Sequence, residues 1–106
     1  MKFVFEVRIR PGHTAEQYAD VWVRVSRIIQ RQPGARGTRL HRKIGEPDVL
    51  LAIASWDSKD ARDAATRALE SHEAMHAMLR AEAAFVDVTI LGEFEDPEWV
   101  VVPREE

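Results

Sequence analysis

The chain reads as an α+β domain of βαββαβ order, with a four-stranded antiparallel sheet and its helices on one face. Three observations predict this. Segments of alternating apolar and polar residues, beginning with KFVFEVRIR, have the period of strands. Two longer segments carry apolar residues every three or four positions, the period of helices. Pro11-Gly12, Pro33-Gly34, Gly45 and Asp96-Pro97 punctuate the chain between them.

Lys2 to Arg10 is the first strand, with Phe3, Phe5, Val7 and Ile9 on one face and Val4, Glu6 and Arg8 on the other. Thr14 is a helix N-cap, and Gln17 three residues later completes a capping box. The helix it opens runs to about Gln32, with Tyr18, Val21, Trp22, Val25, Ile28 and Ile29 in one stripe. Gly37 to Lys43 is a second, more polar strand. A turn at Gly45–Asp48 joins it to Val49–Trp56, a strand apolar on both faces, as expected of one covered on both sides. Ser58 caps a second helix that runs to about Ala83, where a break near Glu70-Ser71 would let Ser71 cap a fresh segment. Phe85 to Glu95 is the last strand, with Val86, Val88, Ile90 and Phe94 expected on one face and Phe85, Asp87, Thr89 and Leu91 on the other. This order is the ferredoxin-like, split βαβ arrangement.

At 106 residues the chain holds one domain, expected over residues 1–95, followed by a tail over 96–106. Helices on one face leave the other face of the sheet uncovered, and the tail adds Trp99-Val100-Val101-Val102. A homodimer answers both, with each tail packing on the partner subunit. A net charge of -3 argues against nucleic acid as a partner. The absence of cysteine excludes disulfides, thiolate metal sites and cysteine nucleophiles. The N-terminal segment alternates where a signal peptide would be continuously apolar, and no apolar run approaches the roughly 18 residues of a membrane span. A cytoplasmic, membrane-free protein is therefore expected.

The element order, Pro11-Gly12 after strand one, Pro33-Gly34 after helix one, the Ala-Ser-Trp56-Asp-Ser close of strand three and the Ser71-His72…His76 segment resemble the antibiotic biosynthesis monooxygenase-like family. The resemblance runs from Lys2 to about Glu95. It implies a dimeric α/β barrel built from two ferredoxin-like chains, with a pocket in each subunit between sheet and helices. It also implies chemistry of one of several kinds, including oxidation of polyketide-like aromatics by molecular oxygen without metal or flavin.

His72 and His76 are the sharpest candidates, four apart on a helix face that otherwise carries alanine, methionine and leucine. An imidazole titrates near neutral pH, so either could take a proton from a phenol-like substrate, after which an electron-rich aromatic reacts with oxygen directly. The pair alone does not make a metal site: a third ligand is wanted, and neither His13 nor His41 is placed to supply it. Phe5, Val7, Tyr18, Trp22, Trp56 and Met75 are the candidate substrate-binding walls, with core packing as the competing role. The expected function is a cofactor-independent monooxygenase-like enzyme acting on a hydrophobic aromatic or polyketide-like small molecule. The alternative is a non-catalytic small-molecule-binding or stress-related accessory protein. Haem-degrading relatives imply a strand-one asparagine, a helix-two tryptophan and a helix-two histidine ligand. Val7 and the tryptophan-free stretch Ala64–Ala68 stand at the first two places, and His76, Met78 or Met75 falls at the third depending on the alignment, so haem binding or degradation is the least favoured reading and no cofactor is expected.

Overall fold

The computed structural model describes residues 1–104; Glu105 and Glu106, the end of the expected tail, lie outside the described residues. The order of elements is β1 (Lys2–Ile9), α1 (Ala15–Ile29), β2 (Ala35–Lys43), β3 (Glu46–Trp56), α2 (Lys59–Ala68), α3 (Glu73–Glu82) and β4 (Val86–Phe94). The strands form one antiparallel sheet in the order β2-β3-β1-β4. This is the expected ferredoxin-like α+β fold, with the second helix divided in two.

Local chemistry sets the boundaries. Thr14 accepts a hydrogen bond from the Gln17 amide at 3.1 Å, and the Gln17 side chain accepts one from the Thr14 amide at 2.9 Å, closing the capping box. α1 ends at Ile29 rather than Gln32. The Arg31 and Gln32 amides donate to the carbonyls of Ile28 and Ile29, tightening the last turn before Pro33. The β2–β3 connection contracts to Ile44-Gly45, so Glu46 and Pro47 already belong to β3.

Two expectations are corrected. Ser71 does not cap the third helix; His72 does, its Nδ1 accepting the Met75 amide at 3.1 Å. The chain turns at Leu69–His72, where the His72 amide donates to the Leu69 carbonyl at 3.1 Å, and this shifts the cap by one residue. Phe94 does not share a face with Val86, Val88 and Ile90. Val4 pairs with Gly92 and Phe5 with Ile90, so Leu91 is an extra residue opposite β1. Beyond that bulge the alternation reverses. Phe94 pairs with Lys2 on the open face, while Val88 and Ile90 pair with Val7 and Phe5 on the helix face.

The core lies between the helix face and α1. Val7 is fully buried and Tyr18 is 1% exposed, and Ile9, Ala15, Leu50 and Val86 surround them. A second cluster, Val25, Leu69 and Met75, joins α1 to the α2–α3 corner. Each such apolar side chain contributes about 1.5–3 kcal/mol when fully removed from water. The opposite face of the sheet carries Val4, Glu6, Leu51, Ile53, Leu91 and Phe94, and no element of the described chain covers it. No helix among the described residues is long and apolar enough to cross a membrane.

Candidate functional site

Where α1 and α3 lean over the sheet, the layers do not close. α1 presents Tyr18, Trp22, Val25 and Ile29 along its inner stripe, and Phe5 of β1 and Ala54 of β3 lie beneath them. Ala54 is small at a central strand position, and the space it leaves is part of a cavity of about 200 Å³. Leu79 and Glu82 of α3 close one side, and Ser26, Gln30 and Thr38 supply uncharged polar atoms. A second cavity, of about 270 Å³, lies under the α2–α3 corner, bounded by Trp56, Ala65, Leu69, Met75 and His76. Ile29 and Leu79 line both, so the two are adjoining lobes separated by those side chains.

The predicted residues divide between the lobes. Phe5, Tyr18 and Trp22 are brought together in the first, and Trp56, Met75 and His76 in the second. Val7 lines neither; it is a core residue beneath the first lobe. His72 lines neither lobe and caps α3. Its Nδ1 lone pair is occupied by the Met75 amide, so taking up a proton there would break the cap. The His76 Nε2 lies 3.0 Å from the Leu69 carbonyl oxygen. A carbonyl only accepts, so Nε2 carries the hydrogen and Nδ1 of the neutral ring holds the free lone pair. Among the described residues no three of histidine, aspartate and glutamate converge as a metal site would require.

The charged residue of the first lobe, Glu82, was not among the predicted site residues. It is 8% exposed and lines the lobe together with Tyr18. Burial raises the Glu82 carboxyl above its ordinary value, opposed by the hydrogen bond that Tyr18 donates. Burial first, then the adjacent carboxyl, raises the Tyr18 hydroxyl well above its ordinary value. A signal existed in the sequence: Met75, Leu79 and Glu82 follow the spacing of one helix face, which put a carboxyl on an apolar stripe. Arg62 was also missed. Its guanidinium lies 3.7 Å from the Phe3 ring centroid, and its stem borders the second lobe.

A family model described as antibiotic biosynthesis monooxygenase matches residues 1–81. Among solved structures, the chain is similar to SnoaB, a cofactor-independent oxygenase from Streptomyces nogalater. The two are 18% identical with a TM-score of 0.68, over 92% of this chain and 96% of that one. It is also similar to a protein described as an antibiotic biosynthesis monooxygenase, at 16% identity and a TM-score of 0.66, over 92% of this chain and 100% of that one. A conserved protein from Methanosarcina mazei Go1 is 10% identical with a TM-score of 0.66, over 88% and 91% of the two chains. At these identities the structural likeness establishes the fold. No curated protein sequence matches the chain.

Proposed function

The chain belongs to the antibiotic biosynthesis monooxygenase family, and from that premise we propose that it is a cofactor-independent oxygenase of a hydrophobic aromatic or polyketide-like small molecule. The observation that carries this reading is the apolar cavity between α1, α3 and the sheet, walled by Phe5, Tyr18 and Trp22. Flat aromatic walls over a small-residue floor suit a planar aromatic guest, and the few polar atoms at the edge would orient it. The similarity to SnoaB, itself a cofactor-independent oxygenase, supports the same chemistry.

In such a reaction the substrate supplies the electrons. Loss of a proton from an electron-rich ring raises its reducing power. One atom of oxygen then bonds to a ring carbon that gives up its hydrogens, and the other leaves as water. The protein's part is to exclude bulk water, orient the ring and move protons. Of the two histidines, His76 is the one we assign to proton exchange, because it lines the second lobe and only its Nε2 is engaged by a hydrogen bond among the described residues, while the His72 lone pair is spent in a cap.

The working unit we propose is a homodimer closed by the open sheet face. Leu91 and Phe94 are each half exposed there, Ile44 stands beside it 99% exposed, and Trp99 in the tail is 87% exposed. Contiguous apolar surface of this kind marks a protein interface. Two sheets packed back to back would cover it, with the tail of each chain lying on its partner.

The test is dissolved-oxygen uptake by the protein with a panel of polycyclic phenols. Wild type consumes oxygen in proportion to product. His76→Ala remains folded and loses about 10²- to 10⁴-fold in kcat, the usual worth of a positioned acid–base group. A folded, ligand-binding protein that consumes no oxygen with any of them would instead be a non-catalytic binder.

A further inference from the structure

We infer that the Glu82 carboxylate, oriented by Tyr18, is the group that accepts the hydroxyl proton of a phenolic or enolic substrate in the lobe walled by Phe5 and Trp22. The inference rests on the reading of that cavity as a substrate site and goes beyond it by assigning the acceptor of the substrate's hydroxyl proton in the first lobe, a step separate from the proton exchange given to His76 in the second lobe.

The geometry carries the assignment. Glu82 is the one buried charged residue among the described side chains and it lines the apolar cavity. Such a group costs stability, and one that faced no ligand would be replaced without loss by an apolar side chain of its size. Its position on α3 gives it two exposures. One side meets the cavity. The other borders a shallow outer groove with Arg10, just after β1, and Asp87 of β4, which pair with each other at 2.9 Å. A proton taken from the cavity therefore has a short way to solvent through the same carboxyl.

The charged and titratable groups facing Glu82 are few. Tyr18 faces it from α1, and Arg10 and Asp87 lie across the outer groove. The other polar residues of the cavity, Ser26, Gln30 and Thr38, are uncharged. Tyr18 lines the same cavity beside Glu82, and its hydroxyl favours the ionised carboxyl, so it can hold the carboxylate toward the substrate. Tyr18 is thus a positioning residue and Glu82 the catalytic one. The step balances simply: the substrate O–H bond breaks, the proton bonds to a Glu82 oxygen, and the electron pair stays on the substrate oxygen. Burial holds the Glu82 carboxyl above its ordinary range, which brings its basicity closer to that of a phenol than an exposed carboxylate's would be.

The experiment uses β-naphthol, a small planar phenol whose excited state is strongly acidic and whose neutral and ionised forms emit at different wavelengths. With protein in excess, the probe bound to wild type emits from the ionised form. Bound to Glu82→Gln it emits from the neutral form, while His76→Ala leaves the ionised emission in place. As pH falls the wild-type ionised band disappears when Glu82 takes up a proton. Tyr18→Phe moves that transition to higher pH, because the hydrogen bond favouring the carboxylate is gone. On any phenol the wild type turns over, Glu82→Gln loses about 10²- to 10⁴-fold in kcat. Ionised emission that persists in folded, probe-binding Glu82→Gln overturns the assignment of the base. A probe that does not bind, or binds equally well to Ala54→Leu, whose added atoms fill the cavity, overturns the reading of the cavity itself and this inference with it.

Discussion

Replacing Gly34 by alanine puts a methyl group where the structure has no room for one. Gly34 has a φ of +86°, and a Cβ built on it would lie 2.6 Å from the Ala61 Cβ on α2 and 3.7 Å from the Asp57 Cβ. Gly34 cannot move away easily, because its carbonyl accepts the Asp57 amide at 2.8 Å. Two costs add. A left-handed backbone costs a non-glycine residue about 1–2 kcal/mol, and forcing a carbon into a packed contact costs about 1–3 kcal/mol. The total, about 2–5 kcal/mol, is a large part of the roughly 5–15 kcal/mol that holds a domain together. At about 4–8 °C per kcal/mol, Tm falls by about 8–40 °C. Gly12 supplies the control. Its φ is also +86°, but nothing lies within 4 Å of its added Cβ, so Gly12→Ala carries the backbone cost alone. Thermal unfolding by far-ultraviolet circular dichroism of the two variants, and of Gly34→Ala combined with Ala61→Gly, separates the terms. Equal losses for Gly12→Ala and Gly34→Ala, or no recovery on removing the Ala61 methyl, would refute the claim that close packing of α2 on this turn sets the cost.

Other predictions follow from single contacts. His72→Ala removes the α3 cap and lowers stability by about 1 kcal/mol with turnover per folded molecule retained, as chemical denaturation alongside oxygen uptake checks; a loss of turnover without loss of stability would contradict the capping role. The Glu82 carboxyl has a higher pKa folded than unfolded, so its contribution is fully present below the ordinary value of 4.5 and is lost as pH rises through the folded value. Glu82→Gln is therefore the more stable protein at neutral pH, and its advantage shrinks as pH falls toward 4.5; urea midpoints across that range that differ by a constant amount would count against it. Deleting residues 96–106 removes Trp99 and the apolar tail and weakens the proposed dimer, seen as a raised dissociation constant in sedimentation velocity. An unchanged constant would place the tail outside the interface.

The parts of the fold legible in the sequence are those set by local rules. The alternation of Phe3, Phe5, Val7 and Ile9 gave β1 its inner face, and Thr14 with Gln17 fixed the start of α1 through two hydrogen bonds that any chain with those residues can make. What escaped depends on a single inserted residue or on packing. Leu91 is the extra residue of a bulge beside Gly92, whose φ is +140°, and a period-two reading carries Phe94 to the wrong face once it is missed. Ser71 is the better N-cap by residue type, but the tight turn from Leu69 placed His72 at the cap. The site shows the same division. The Tyr18, Trp22 and Val25 stripe was visible as periodicity. Glu82 was passed over because acidic residues on helices usually face water, and only the closeness of Tyr18 across the cavity makes its burial tolerable.

In the proposed function, the cavity between α1, α3 and the sheet is where an aromatic substrate meets oxygen. The direct measurement is mass spectrometry of the products formed from polycyclic phenols under heavy-isotope oxygen gas, with wild type and with folded Ala54→Leu. Wild type places one labelled atom in the product, and the cavity-filled variant places none. Equal labelling by both proteins would contradict the account, since oxygenation would then not require this cavity.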